Sequence, residues 1–130
     1  MSGIEWLLDT NMVLGLLKGH PPALVMAEQS GLVVEQAAIS QITRMELLGF
    51  PRLTDEEETA IRSFVATCHV ILLDEEIEQR AIRLRRAGSF KLPDAIIAAT
   101  AIIRRLRLLS LDRGMSEALD RLPKTVYGTL

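Results

Sequence analysis

The sequence predicts an α/β fold, a three-layer sandwich whose central, mostly parallel sheet of four to five strands is flanked by helices. Short apolar runs of strand length alternate with longer segments whose apolar residues recur at helical spacing, the pattern of parallel strands joined by crossover helices. Caps, glycines and prolines punctuate these segments at their ends. With 130 residues, 48% of them apolar and 25% charged, the chain is expected to form one globular domain with a substantial core. No internal repeat, linker or low-complexity segment interrupts it.

Ile4–Leu8 reads as a short buried strand ending at Asp9. From Thr10 to Lys18, Met12, Val13, Leu16 and Leu17 fall at helical spacing, and Gly19-His20-Pro21-Pro22 breaks the pattern. Ala23–Ser30 is a second short helix stopped by Gly31. Leu32–Ile39 is strand-like, best over Glu35–Ile39, and Ser40 is a natural N-cap for a helix reaching about Leu48. Gly49-Phe50-Pro51 ends that helix. Thr54-Asp-Glu-Glu57 is a capping box that opens a helix to about Thr67, with acids where the helix dipole favours them. His69–Leu73 is the next strand. Asp74 caps a helix to Ala87, which Gly88 stops. Pro93 suits the first turn of a helix reaching Arg105. Arg107–Leu111 is a strand, Met115–Arg121 a short helix, and Thr125–Tyr127 a final edge strand.

Several function classes are excluded at this level. No apolar stretch reaches the roughly 18–20 residues of a membrane helix, since the longest candidate, Ala95–Ile103, is bounded by Lys91, Asp94 and Arg104. The opening MSGIEWLLD has neither a basic region nor a small-residue cleavage site, so a cytoplasmic protein without a signal peptide is expected. Cys68 stands alone, which leaves no internal disulfide and no thiolate metal cluster, and it reads as a small core residue. The net charge of −2 hides an asymmetry: residues 1–79 hold 13 Asp/Glu against 4 Lys/Arg, whereas residues 80–124 hold 11 Lys/Arg against 4 Asp/Glu. Such a basic segment attracts phosphate even in a slightly acidic chain, although a solvated helix face has the same composition. One Trp, one Tyr and three Phe are too few for a base-stacking platform.

Four acids, Asp9, Glu46, Asp94 and Asp112, each sit beside or within an apolar run. A carboxylate in such a place is costly unless paired or bound to a cation. Asp9 closes the first strand and Asp112 follows the 107–111 strand, so both belong to the carboxyl edge of the sheet, where open α/β sheets bind ligands. Asp94 lies in the first turn of its helix, and Glu46 shares a helix face with Thr43 one turn earlier. Singly, each acid has an ordinary explanation as a cap, a turn residue or a solvated charge. Gathered together, they raise one another's pKa unless a cation compensates. Oxygen ligands without His or Cys select Mg²⁺ or Mn²⁺, which keep waters and leave room for phosphate oxygens. Metal-assisted phosphodiester hydrolysis is the expected chemistry.

The segments Leu7-Leu8-Asp9-Thr10-Asn11, Ser40-Gln-Ile-Thr43-Arg-Met-Glu46-Leu47, Lys91-Leu92-Pro93-Asp94-Ala95-Ile96-Ile97-Ala98-Ala99-Thr100-Ala101 and Leu109-Ser110-Leu111-Asp112, taken together, resemble the PIN-domain ribonucleases, and most of all the VapC-type toxins of type II toxin–antitoxin pairs. The resemblance runs in order from about residue 5 to residue 122 and makes residues 1–130 one PIN-like domain. It implies a Mg²⁺- or Mn²⁺-dependent endoribonuclease. Asp9, Glu46 and Asp94 match the three principal acids; Asp9 and Asp94 lead the implied metal ligands, and Glu46 and Asp112 complete the metal site. Asp112 matches the fourth acidic position, and Ser110 stands where the family has Thr or Ser. Thr10 and Asn11 match the polar residues that orient the first acid. After Asp112 this chain departs from the pattern: many members continue with an acidic or polar residue and then Phe, where this one has Arg113-Gly114-Met115.

The resemblance also implies a homodimer and a small antitoxin whose tail crosses the active site. Leu47, Leu48, Phe50 and Leu53 surround the Gly49-Phe50-Pro51 break and form either a groove for a partner helix or part of the chain's own core. Arg83, Arg86 and Arg113 are candidates to contact the RNA backbone. Two other classes fit less well. A receiver-like Mg²⁺-binding phosphoacceptor needs adjacent acids after strand one and a Lys after its last strand, whereas this chain has Asp9-Thr10-Asn11 and Asp112-Arg113. A haloacid-dehalogenase-like phosphatase needs a second carboxylate where Asn11 stands. A PIN-like RNA-binding or interaction module without catalysis would have no need of all four acids.

Overall fold

Four parallel strands set the architecture: β1 (Trp6–Leu8), β2 (Ala37–Ser40), β3 (His69–Ile71) and β4 (Arg107–Leu109). The structure, a computed structural model, describes residues 3–88 and 90–120. The sheet order is β3-β2-β1-β4, and every neighbouring pair is parallel. Parallel neighbours need crossovers. The first contains α1 (Thr10–Leu17) and α2 (Pro21–Ser30), the second α3 (Gln41–Leu48) and α4 (Asp55–Thr67), and the third α5 (Glu75–Arg86) and α6 (Leu92–Arg104). α7 (Arg113–Asp120) follows β4. The chain steps outward from β1 to β2 and β3, then returns to place β4 on the far side of β1. The strand order therefore reverses between β1 and β4, and that reversal opens a crevice at the carboxyl edge.

Side chains alternate across the strands and divide the core into two layers. Leu7 and Ala38 pack with Ile77, Ala81 and Leu84 of α5 and with the Ala-rich face of α6. Trp6, Leu8, Ala37 and Ile39 pack on the opposite face with Met12, Val13, Ala23, Leu47 and Ile61. Helices on both faces of a buried parallel sheet make the expected three-layer sandwich. α1 and α2 approach closely at Gly15, where a Cβ would stand 2.6 Å from that of Ala23 and 3.3 Å from Leu111 Cδ1. Among the described residues no helix is long and apolar enough to cross a membrane.

The capping residues act as their sequence suggests. The Ser40 hydroxyl accepts from the Ile42 amide at 3.3 Å, Thr54 and Glu57 form a reciprocal capping box, and Asp74 accepts from the Ile77 amide at 2.9 Å. Several boundaries differ from expectation. The break after α1 falls where expected, but α2 begins at Pro21 rather than Ala23, because the first helical turn needs no amide donor. Val34–Gln36 forms a 3₁₀ turn, which delays β2 to Ala37. β1 starts at Trp6 rather than Ile4. β3 stops at Ile71: Leu72 and Leu73 are exposed, and the Leu73 amide donates to Gln41 Oε1 instead of to a strand. β4 stops at Leu109 because the Leu111 amide turns to Asn11 Oδ1 at 2.9 Å. α7 begins two residues early, with Asp112 Oδ1 accepting from the Met115 amide at 3.2 Å. The expected strand at Thr125–Tyr127 and the last residue of the expected helix, Arg121, lie outside the described residues.

A carboxylate site at the carboxyl edge of the sheet

Asp9 and Ser110 leave β1 and β4 side by side. Leu8 pairs with Leu109 in the parallel register, and the Asp9 amide continues the ladder by donating to the Leu109 carbonyl at 3.0 Å. Asp9 is only 5% exposed, yet its carboxylate is well supplied with donors. Its Oδ1 accepts from the Thr10 amide at 2.8 Å, and its Oδ2 accepts from the Ser110 hydroxyl at 2.6 Å and from Asn11 Nδ2 at 3.4 Å. Asp9 thus caps α1 and serves the site with the same side chain. Ser110 also accepts from the Asp112 amide at 3.0 Å, so one hydroxyl ties the first acid to the loop that carries the fourth.

Glu46 enters from α3. The Thr10 hydroxyl donates to Glu46 Oε1 at 2.6 Å and lies 3.1 Å from the Thr43 hydroxyl. The side chain of Thr10 therefore orients Glu46, whereas its backbone amide holds Asp9. Thr43 is fully buried, one turn before Glu46 on the same helix. Asp112 is exposed and gives one oxygen to the cap of α7.

Asp94 lies in the first turn of α6, and no hydrogen bond to its side chain is found among the described residues. Burial pushes its carboxyl above the usual range, and the negative charges of Asp9, Asp112 and Glu46 push it further; Lys91, at the N-cap of α6, opposes them. All four acids therefore act on one region. Sequence reasoning had not picked out Lys91 for this place, although its position three residues before Asp94 was a signal.

The four carboxylates are near one another without being clenched. Among the described residues no three His, Cys, Asp or Glu side chains stand close enough to grip one ion together. Both facts fit a hard, hydrated cation, which takes one or two carboxylates directly and reaches the others through its waters. The donors are carboxylate and hydroxyl oxygens throughout, which suits Mg²⁺ or Mn²⁺.

The other candidate residues fall in different places. Leu47 is fully buried in the core, so it cannot face a partner; Leu48 and Leu53 are half-buried and Phe50 is exposed. Arg83 and Arg86 lie exposed on the last turns of α5, which a short loop joins to the start of α6 near Asp94. Arg104, within the basic segment, lies away from the acids. It pairs with Asp74 at the end of α6 remote from Asp94, roughly 15 Å along the helix at 1.5 Å per residue. Arg107 begins β4 and so belongs to the opposite edge of the sheet.

Residues 6–120 match the PIN-domain family. The chain belongs to that family. A PIN-family chain of this length is expected to have close structural counterparts, and it does. It is 32% identical to a chain in a toxin–antitoxin complex from Klebsiella pneumoniae, with a TM-score of 0.74 and coverage of 92% of this chain and 93% of that one. It is 25% identical to a chain of FitAcB from Neisseria gonorrhoeae, with a TM-score of 0.66 and coverage of 88% and 92%. VapBC2 from Rickettsia felis, bound to a DNA fragment from its promoter, shares the fold at 18% identity, with a TM-score of 0.70 and coverage of 88% and 93%. No curated protein sequence matches. The resemblance of this PIN domain to the VapC type, read from four short segments, is borne out across nearly the whole chain.

Proposed function

We propose that this PIN domain is a divalent-metal-dependent endoribonuclease and the toxin of a type II toxin–antitoxin pair. PIN domains are generally nucleases. The observation that carries the reading is the convergence of Asp9, Glu46, Asp94 and Asp112 at the β1/β4 crevice, felt at Asp94 as a raised pKa. A bound Mg²⁺ or Mn²⁺ would lower the pKa of a water and offset charge on the phosphate.

This chain's residues do the positioning. Asp9 and Asp94 would hold the cation, Asp9 being fixed by Ser110, Asn11 and the Thr10 amide. Glu46, held by Thr10, and Asp112 would orient water at the site. In the proposed hydrolysis a water would add to the phosphorus of an RNA phosphodiester as the P–O3′ bond breaks and the 3′ oxygen leaves with a proton. Arg83, Arg86 and Arg113 draw the RNA backbone toward the acids.

The antitoxin reading is supported by an apolar groove of about 420 Å³ bounded by Leu14, Leu17, Phe50, Pro51, Leu53 and Ile61. It lies between α1, the α3–α4 loop and α4, and a helix of a small partner would fit it. The homodimer reading is supported by exposed Met45, Leu72 and Leu73. Gln41 bonds to the Leu73 amide and lies one turn before Met45, which brings the end of β3 next to the start of α3.

The deciding experiment is an RNA cleavage assay with Mg²⁺, Mn²⁺ or EDTA, comparing the wild type with Asp9→Asn and Asp94→Asn. Cleavage that needs metal and vanishes in both variants supports the reading. Activity surviving both substitutions defeats it, and RNA binding without cleavage by the wild type would leave a binding module. A small upstream reading frame encoding a partner that blocks cleavage would support the toxin assignment.

A further inference from the structure

Beside the acids lies a cleft of about 540 Å³. His20, Pro22 and Met26 line it from the start of α2, and Ser110, Arg113 and Ser116 line it from the end of β4 and from α7. Ser110 is shared between the two places. Ser110, whose hydroxyl donates to Asp9 at 2.6 Å, is one of the residues lining the cleft, so the cleft adjoins the acidic crevice and is not a remote cavity. Its size falls within the range of about 300–1,000 Å³ typical of small-ligand sites.

The lining has the chemistry of a nucleoside site. Pro22, Met26 and Leu111 offer apolar surface to the face of a base. Arg113 and His20 add planar groups that stack on a base. Ser116 and Glu117 supply a polar edge. A site built for a bare phosphate would have no use for this apolar surface, which the face of a base would cover. Arg113 is exposed and forms no ion pair among the described residues. It also begins the Arg113-Gly114-Met115 segment in which this chain departs from the family's pattern.

We infer that this cleft is a nucleoside subsite, which seats the nucleotide next to the scissile phosphodiester of a single-stranded RNA through Arg113 and His20. The inference rests on the ribonuclease reading. The cleft binds and selects, while the acids carry out the chemistry, so its loss raises KM and spares kcat.

Two measurements on the full chain test it. In the first, backbone amide NMR signals are followed without metal as each of the four nucleoside 5′-monophosphates, or inorganic phosphate, is added. The Leu111 and Ser116 amides shift with at least one nucleotide and not with phosphate, and the double substitution His20→Ala with Arg113→Ala abolishes the shift. An equal response to phosphate, or no response, overturns the subsite. In the second, Arg113→Ala raises KM for RNA cleavage about tenfold with kcat within about twofold, the size of one or two lost charge-assisted bonds. Ser116→Phe, which fills the cleft from α7, does the same and guards against local unfolding at Arg113. An unchanged KM in both variants also overturns it. Failure of the ribonuclease reading looks different: Asp94→Asn would then cleave like the wild type, while the nucleotide-induced shifts at Leu111 and Ser116 persist.

Discussion

Asp9 stands at the end of β1 inside a full set of donors, whereas Asp94 stands at the start of α6 with no side-chain hydrogen bond among the described residues. Both face the same crevice. On the strand wall, a hydroxyl, a side-chain amide and a backbone amide neutralise the cost of burying a carboxylate. On the helix wall, burial and three other acids act against the charge, and Lys91 opposes them. One wall is built to be rigid. The other carries a charge that the fold does not satisfy, and a cation is the simplest group to satisfy it. Stability and function should therefore separate differently on the two walls.

Asp94→Asn is expected to give the largest effect, a loss of at least about 100-fold in RNA cleavage, together with a higher Tm at neutral pH. The carboxyl titrates higher in the folded chain than in the unfolded one. Its contribution to stability is therefore fully present below its unfolded pKa and is lost as pH rises through the folded pKa. The Tm advantage of Asp94→Asn should open over that interval and vanish in acid, which thermal melts across pH would check. A variant that melts lower than the wild type at neutral pH would break the contrast between the walls.

Asp9→Asn is expected to lose cleavage as completely but also to lose about 1–3 kcal/mol of stability, because one end of the new amide would present a donor to the donors already there. Urea denaturation measures this. Mg²⁺ at about 100 times its Kd should stabilise the wild type by about 2.7 kcal/mol and leave Asp94→Asn nearly unchanged. An equal thermal shift in both would place the ion elsewhere. Ser110→Ala removes one hydrogen bond to a charged group and should cost about 1.5–3 kcal/mol, with reduced cleavage because Asp9 is less firmly held. The smallest effect is expected far from either wall. Thr54→Ala removes one half of the α4 capping box, at a cost of about 1 kcal/mol with cleavage intact.

Much of the fold was legible because local signals agreed with one another. Ser40, Thr54 and Asp74 are caps whose side chains act within three residues, so no distant contact was needed to read them. The failures have physical causes too. The start of α2 is one: Pro21 and Pro22 suit the break after α1 and equally the first turn of the next helix, so composition alone does not divide them between the two. Leu72 and Leu73 have strand composition but no strand partner, and pairing is a property of the sheet rather than of the segment. The site divides in the same way. Thr10 and Asn11 were readable as companions of Asp9, but not the passage of the Thr10 hydroxyl to Glu46, 36 residues away. His20 read only as part of a turn, because nothing near it in sequence shows that Ser110 and Arg113 line the same cleft.

By itself, the sequence determined the alternation of strands and helices, the caps and the identity of the four acids, since periodicity, propensity and residue chemistry are local. The tertiary structure decided which acids are held and which is left exposed to its neighbours' charge. That depends on the β1/β4 register, which sets Ser110 against Asp9, and on where α6 begins relative to the crevice. It also decided which arginines count, placing Arg104 against Asp74 at one end of α6 and Arg113 in the cleft at the other edge of the sheet. Charge acts through space, and distances through space exist only once the chain has folded.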